Sequence, residues 1–144
     1  AINRGAINKE GTIERKMSLV ELLQESDIVS VHAKTSSNVC LLGSHELSLM
    51  KKNSYLINTS RGFLIDEEAL ISQLKSGAIA GAALDVFREE PLSKDSPLLS
   101  LPHVILTPHI AGLSHAMAKR TASMLVDDVI RFLNNKKPIN VYKV

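Results

Sequence analysis

Across 144 residues, 17 basic side chains nearly balance 15 acidic ones and aromatics make up 3%, so the basic stripe and stacking platform that nucleic-acid binding needs are both missing. At 44% hydrophobic the chain suits one globular domain or a large piece of one, yet no apolar run approaches the roughly 18 residues of a membrane span. Cys40 is the single cysteine, and without C-x-x-C or histidine-cluster spacing no disulfide or metal site is expected, in keeping with a reduced, cytoplasmic setting.

The opening "AINRG" lacks Met and reads as the last residues of a strand running into a turn, so the 144 residues are expected to be a fragment that begins inside a sheet. Short apolar runs then recur at "DIVSVH" (27 to 32), "SYLINTS" (54 to 60), "AIAGAALDVF" (78 to 87) and "HVILTPH" (103 to 109), with starts about every 25 residues. Helical patterns precede or separate the first three: "SLVELLQES" from Ser18, "SHELSLM" from Ser44 and "DEEALISQLKSG" from Asp66. Ser18, Ser44 and Asp66 are each suited to cap a helix, because a short side-chain oxygen accepts from an otherwise orphaned amide. Gly77 supplies the left-handed stop that helix ends prefer.

Strands alternating with amphipathic helices predict an α/β fold, a parallel sheet buried by helices on both faces. The last connection, "REEPLSKDSPLLSLP", carries three prolines and leaves no room for a regular crossover helix. Such a loop in a compact α/β domain is a place to look for function. From Ser114, Met117, Ala118, Thr121, Met124, Leu125, Ile130 and Leu133 recur at helical spacing and predict one long helix ending near Asn135, followed by a basic tail.

Ligands of open parallel sheets bind outside the carboxyl ends of the strands. Arg61 follows "YLINTS", Asp85 and Glu90 lie in and after "GAALDVFREEP", and His109 follows "VILTP". Taken singly, each has a plain structural reading: an exposed turn, a solvated loop, a capping histidine. Asp85 is harder to dismiss, because a carboxylate ending an apolar strand needs a polar partner. An arginine, carboxylates and a histidine at one sheet edge are together a candidate site.

The segments "LINTSRGFLIDEEAL", "GAALDVFREEPL" and "LTPHIAG" resemble, in words, order and spacing, the signatures of the D-isomer-specific 2-hydroxyacid dehydrogenases. That resemblance implies a Rossmann-like doubly wound sheet, incomplete because the βαβ unit with the G-x-G-x-x-G phosphate turn is not among these residues. It places the later part of a dinucleotide-binding domain at 1–113, and at 114–144 a helix and tail returning toward a substrate domain. It also implies catalytic roles for Arg61 on the substrate carboxylate, His109 as acid–base and Glu90 as its partner.

By the same resemblance Asp85 accepts a bond from the nicotinamide carboxamide. Thr59, Ser60, Arg61, His109, Ile110, Ala111 and Gly112 line the coenzyme. Asn3 and Arg4 stand where NAD-preferring relatives present an acid to the ribose, so both NAD and NADP are open, with Arg4 suited to a 2′-phosphate. The expected activity is hydride transfer between nicotinamide and a small 2-keto or 2-hydroxy acid, in a homodimer acting on neither nucleic acid nor membrane. The alternative is a dehydrogenase-fold binding protein of the corepressor kind. The 144 residues alone are expected to bind dinucleotide poorly and to be inactive.

Overall fold

The computed structural model describes residues 18–33 and 39–140. The chain divides into two compact units, Ala1–His109 and Ile110–Val144.

In the first unit, α1 (Leu19–Glu25) leads to β1 (Ile28–Val31), α2 (Ser44–Ser48) to β2 (Tyr55–Asn58), and α3 (Glu67–Lys75) to β3 (Gly81–Leu84), after which β4 (Val104–Leu106) closes the sheet. The four strands are parallel, in the order β1-β2-β3-β4. This is the α/β, Rossmann-like arrangement expected, each strand forming at the centre of its apolar run. The third connection has only a short 3-10 turn, Pro97–Ser100, where the prolines exclude a longer helix.

Helix ends follow from local chemistry. The Ser18 hydroxyl accepts from Glu21 N–H while the Glu21 carboxylate accepts from Ser18 N–H, a reciprocal capping box. The Asp66 carboxylate caps α3 by accepting from Ala69 N–H at 3.1 Å, and Gly77 follows the helix with φ of 68°. Ser44 is not the cap of α2: Gly43 holds that position, because the Glu46 carboxylate reaches back to the Gly43 N–H at 3.0 Å and starts the helix one residue earlier.

The core lies on one side of the sheet. Val29, Val31, Leu56, Ala82 and Leu84 are buried there with Leu23 of α1, Leu47 of α2 and Leu70 of α3. On the opposite face Ile28, Tyr55 and Ile105 are 61%, 49% and 67% exposed. Helical cover was expected on both faces; among the described residues of this unit it is present on one, because all three helices lie on the same side of the strands they connect. Burial of that one face still stabilises the unit, at about 25 cal/mol per Å² of apolar surface.

The second unit is built on α4 (His115–Leu133), capped by the Ser114 hydroxyl accepting from Met117 N–H at 3.0 Å. The helix ends within two residues of its expected stop, with Asn135 in the left-handed region at φ of 55°. The tail folds back on it: the Asp128 carboxylate accepts from Ile139 N–H at 2.7 Å and Asn140 N–H at 2.9 Å, which holds that carboxyl below its ordinary range. No helix among the described residues is long and apolar enough to cross a membrane.

Candidate active site

Asn58, Leu84 and Leu106 pair in one register row at the carboxyl ends of three neighbouring strands. Counting onward along the chain, Asp85 follows that row by one residue, and Arg61 and His109 each follow it by three. Strand pairing therefore brings to one edge the residues that the sequence scatters over about fifty positions.

Arg61 sits in extended backbone, φ −149° and ψ 140°, and its Nη1 donates to the Ser60 carbonyl at 2.7 Å. The Ser60 hydroxyl donates to the Val31 carbonyl at 2.7 Å, tying the turn to β1. Gly62 presses directly on the next loop: a Cβ there would lie 1.9 Å from the Phe87 carbonyl oxygen and 2.6 Å from Arg88 N. Only glycine permits that approach of main chain to main chain. The turn bearing Arg61 and the loop bearing Glu90 are thus in contact through backbone.

The Glu90 loop is held by its own amides. Phe87 N–H donates to Glu90 Oε1 at 3.1 Å and Arg88 N–H donates to Glu67 Oε2, on the first turn of α3, at 3.2 Å. The other Glu90 oxygen, Oε2, lies 2.7 Å from His109 Nδ1. This hydrogen bond, then the Phe87 amide, hold the Glu90 carboxyl below its ordinary range against a small opposing desolvation, with the Arg61 charge a lesser contributor. An ionised carboxylate only accepts, so Nδ1 carries the hydrogen of this bond and Nε2 is the ring nitrogen not engaged in it.

His109 itself adopts φ of 54°, the left-handed region that non-glycine residues enter only uncommonly, histidine more readily than most. Two main-chain bonds hold it there, its N–H donating to the Asp85 carbonyl at 2.8 Å and to the Thr107 carbonyl at 3.0 Å. Strain of this kind persists where surrounding structure over-determines it, and it clusters at functional sites. Asp85 is 3% exposed, and Thr107 Oγ1 donates to its Oδ1, the polar partner that a strand-ending carboxylate needs. Beside His109 and Glu90 opens a cavity of about 320 Å³, walled by Phe87, Leu92, Leu106 and Pro108 and carrying Thr107 as its further polar group.

The structure therefore brings Glu90 and His109 together and sets Arg61 and Asp85 at the same edge. Thr59 is exposed at the start of the Arg61 turn. Ile110, Ala111 and Gly112 open the second unit, and within the described residues of that unit a Cβ at Gly112 would meet nothing within 4 Å. Asn3 and Arg4 lie outside the described residues. The sequence reading passed over Asn58 and Thr107, both of which hold the site's main chain or carboxylate in place.

Residues 2–111 match the family described as "D-isomer specific 2-hydroxyacid dehydrogenase, NAD binding domain". The chain belongs to this family. Among its relatives is a glyoxylate reductase of Korarchaeum cryptofilum, 42% identical over 142 residues, an alignment covering 98% of this chain and 42% of that protein. An NADPH-dependent glyoxylate/hydroxypyruvate reductase from Sinorhizobium meliloti superposes with a TM-score of 0.72 at 33% identity, covering 85% of this chain and 38% of that one. A D-lactate dehydrogenase from Lactobacillus jensenii, solved with NAD+, superposes with a TM-score of 0.79 at 27% identity, covering 90% and 43%. The chain thus spans about two-fifths of the length of these relatives, the part that carries the NAD-binding domain of the family.

Proposed function

We propose that the complete protein is an NAD(P)-dependent D-2-hydroxyacid dehydrogenase that reduces a small 2-keto acid such as glyoxylate, and that Arg61, Glu90 and His109 carry the reaction. The observation supporting this most is the 2.7 Å bond between His109 Nδ1 and Glu90 Oε2 at the strand edge that also bears Arg61. The edge suits a nicotinamide coenzyme, with the Asp85 carboxylate and the Thr59 hydroxyl as acceptors for carboxamide and ribose and a mostly apolar cavity beside Glu90 and His109. Bound there, the coenzyme supplies or takes the hydride.

The protein's own part is binding and proton transfer. The Arg61 guanidinium offers two parallel N–H donors to the substrate carboxylate and favours the negative charge that grows on the ketone oxygen. His109 Nε2 gives that oxygen its proton, and in the oxidation it takes the hydroxyl proton back. Glu90 keeps the ring's other hydrogen on Nδ1 and stabilises the imidazolium.

Asp85 orients the carboxamide, while Thr59, Ser60 and the main chain of His109, Ile110, Ala111 and Gly112 line the coenzyme. Asn3 and Arg4 set the choice between NAD and NADP. Residues 1–113 form the later part of the coenzyme domain and 114–144 return toward a substrate domain, with α4 contributing to a homodimer in the cytoplasm.

The test is NADH and NADPH oxidation by the complete native protein with glyoxylate, hydroxypyruvate and 3-phosphohydroxypyruvate, alongside His109→Asn and Arg61→Ala. His109→Asn is expected to lose about 10²- to 10⁴-fold in kcat with coenzyme still bound. Tight coenzyme binding with no turnover of any of the three, and dimerisation driven by coenzyme, would replace this reading with that of a binding protein.

A further inference from the structure

Asn58 ends β2 and is 1% exposed, a polar side chain on the face of the sheet that is otherwise packed with leucine and valine. A buried amide in such surroundings is costly unless both of its ends are satisfied. Both ends are satisfied by one turn: Asn58 Oδ1 accepts from Ser60 N–H at 3.0 Å, and Asn58 Nδ2 donates to the Arg61 carbonyl at 2.9 Å. The main chain decides which end of the amide is which, since only the carbonyl oxygen accepts from an N–H and only the NH₂ donates to a carbonyl. Aspartate has no donor for Arg61, and serine is too short to reach both groups.

We propose that Asn58 is a positioning residue for substrate binding: through these two bonds it fixes the main chain of Arg61, and so the root of the guanidinium that clamps the substrate carboxylate. The inference rests on the role given to Arg61 above. Buried as it is, Asn58 does not reach the substrate. Its bonds fall on the two residues immediately before Gly62, whose backbone presses on Phe87 of the Glu90 loop. The turn is therefore pinned from the core on one side and by the Glu90 loop on the other, with the Ser60 hydroxyl on Val31 as a third tie. Released from Asn58, Arg61 keeps its charge and loses its placement, and small misplacements of a binding group are expensive in rate.

The experiment is a double-mutant cycle in the complete native protein, comparing Asn58→Ala, Arg61→Ala and the double variant at saturating coenzyme. It reads kcat, KM for glyoxylate, coenzyme affinity and the unfolding midpoint. Asn58→Ala is expected to lower kcat/KM by about 10- to 100-fold, chiefly through KM, with coenzyme affinity retained. In the Arg61→Ala background the same substitution is expected to cost nothing further, because its effect passes through Arg61. Asn58→Ser, which offers an acceptor to the nearby Ser60 N–H without burying a charge but is too short to hold the Arg61 carbonyl as well, guards against loss of folding and is expected to raise KM by a smaller factor.

Equal losses in both backgrounds, or an unchanged KM in both Asn58 variants, would overturn the positioning role while leaving that of Arg61 intact. Full turnover by Arg61→Ala would instead remove the reading of Arg61 and this inference with it.

Discussion

Arg61 and His109 reach the same edge of the sheet by different means. Side chains hold the Arg61 turn: the Asn58 amide and the Ser60 hydroxyl tie it to the core, and the missing Cβ of Gly62 lets it touch the neighbouring loop. Main chain holds His109, with its N–H bonded to two carbonyls in a left-handed conformation that residues other than glycine seldom adopt. The arginine turn should therefore be easy to loosen by single substitutions. The histidine turn should tolerate almost any change except one that alters its preferred φ or its ring.

The largest break in this comparison is Gly62→Ala. A methyl group 1.9 Å from the Phe87 carbonyl oxygen forces two backbones apart, and overpacking of this kind costs about 1–3 kcal/mol or more. A clear drop in unfolding midpoint together with a fall in kcat/KM is expected; an unchanged enzyme would mean that the two loops are not coupled. Next comes Thr107→Val, which keeps the shape and removes the hydroxyl bonded to buried Asp85. Denaturant titration should show a loss of about 1–2 kcal/mol, and coenzyme affinity should weaken more than KM for the keto acid.

A smaller effect separates His109→Gly from His109→Ala. Both delete the imidazole and the bond to Glu90, but only glycine accepts φ of 54° without strain, so the glycine variant should be the more stable by about 1 kcal/mol. Equal stabilities would mean that the left-handed conformation is not imposed by the surrounding main chain.

The smallest effect is the pH dependence of Glu90→Gln. Glu90 has its folded pKa depressed, so its contribution is fully present above the ordinary glutamate range and is lost as pH falls through the folded value. The stability gap between native protein and Glu90→Gln should thus narrow on acidification. With 36% of the Glu90 side chain exposed, screening keeps the gap under about 1 kcal/mol.

Much of the frame was legible beforehand. The four apolar runs became the four strands, two of the three expected capping residues, Ser18 and Asp66, did cap helices, and the proline-rich connection formed no crossover helix. The site's edge was legible too, because parallel strands put their following residues on one side. What stayed hidden depended on pairing across the chain. The Thr107–Asp85 bond spans 22 residues and no periodicity encodes it, whereas the His109–Glu90 pair, 19 residues apart, was legible only through the family resemblance. The left-handed turn at His109 is imposed by carbonyls of Asp85 and Thr107, not by any local glycine.

Asn58 is a different case. A polar residue ending the run "YLIN" raises the same question as Asp85 ending "GAAL", and asking it would have pointed to the Arg61 turn. That the described helices of the first unit cover only one sheet face was also beyond reach, since apolar alternation predicts what a strand can bury, not which face those helices take.

The account turns most on where the proton of His109 sits. In the complete native protein with ¹⁵N-labelled histidine, and His109→Asn to identify the signal, the imidazole nitrogen shifts at a pH where the ring is neutral report the tautomer directly. The account predicts hydrogen on Nδ1, bonded to Glu90, with Nε2 bare and ready to exchange a proton with the substrate oxygen, and it predicts that Glu90→Gln disturbs this preference. Hydrogen on Nε2 in the native protein would contradict it.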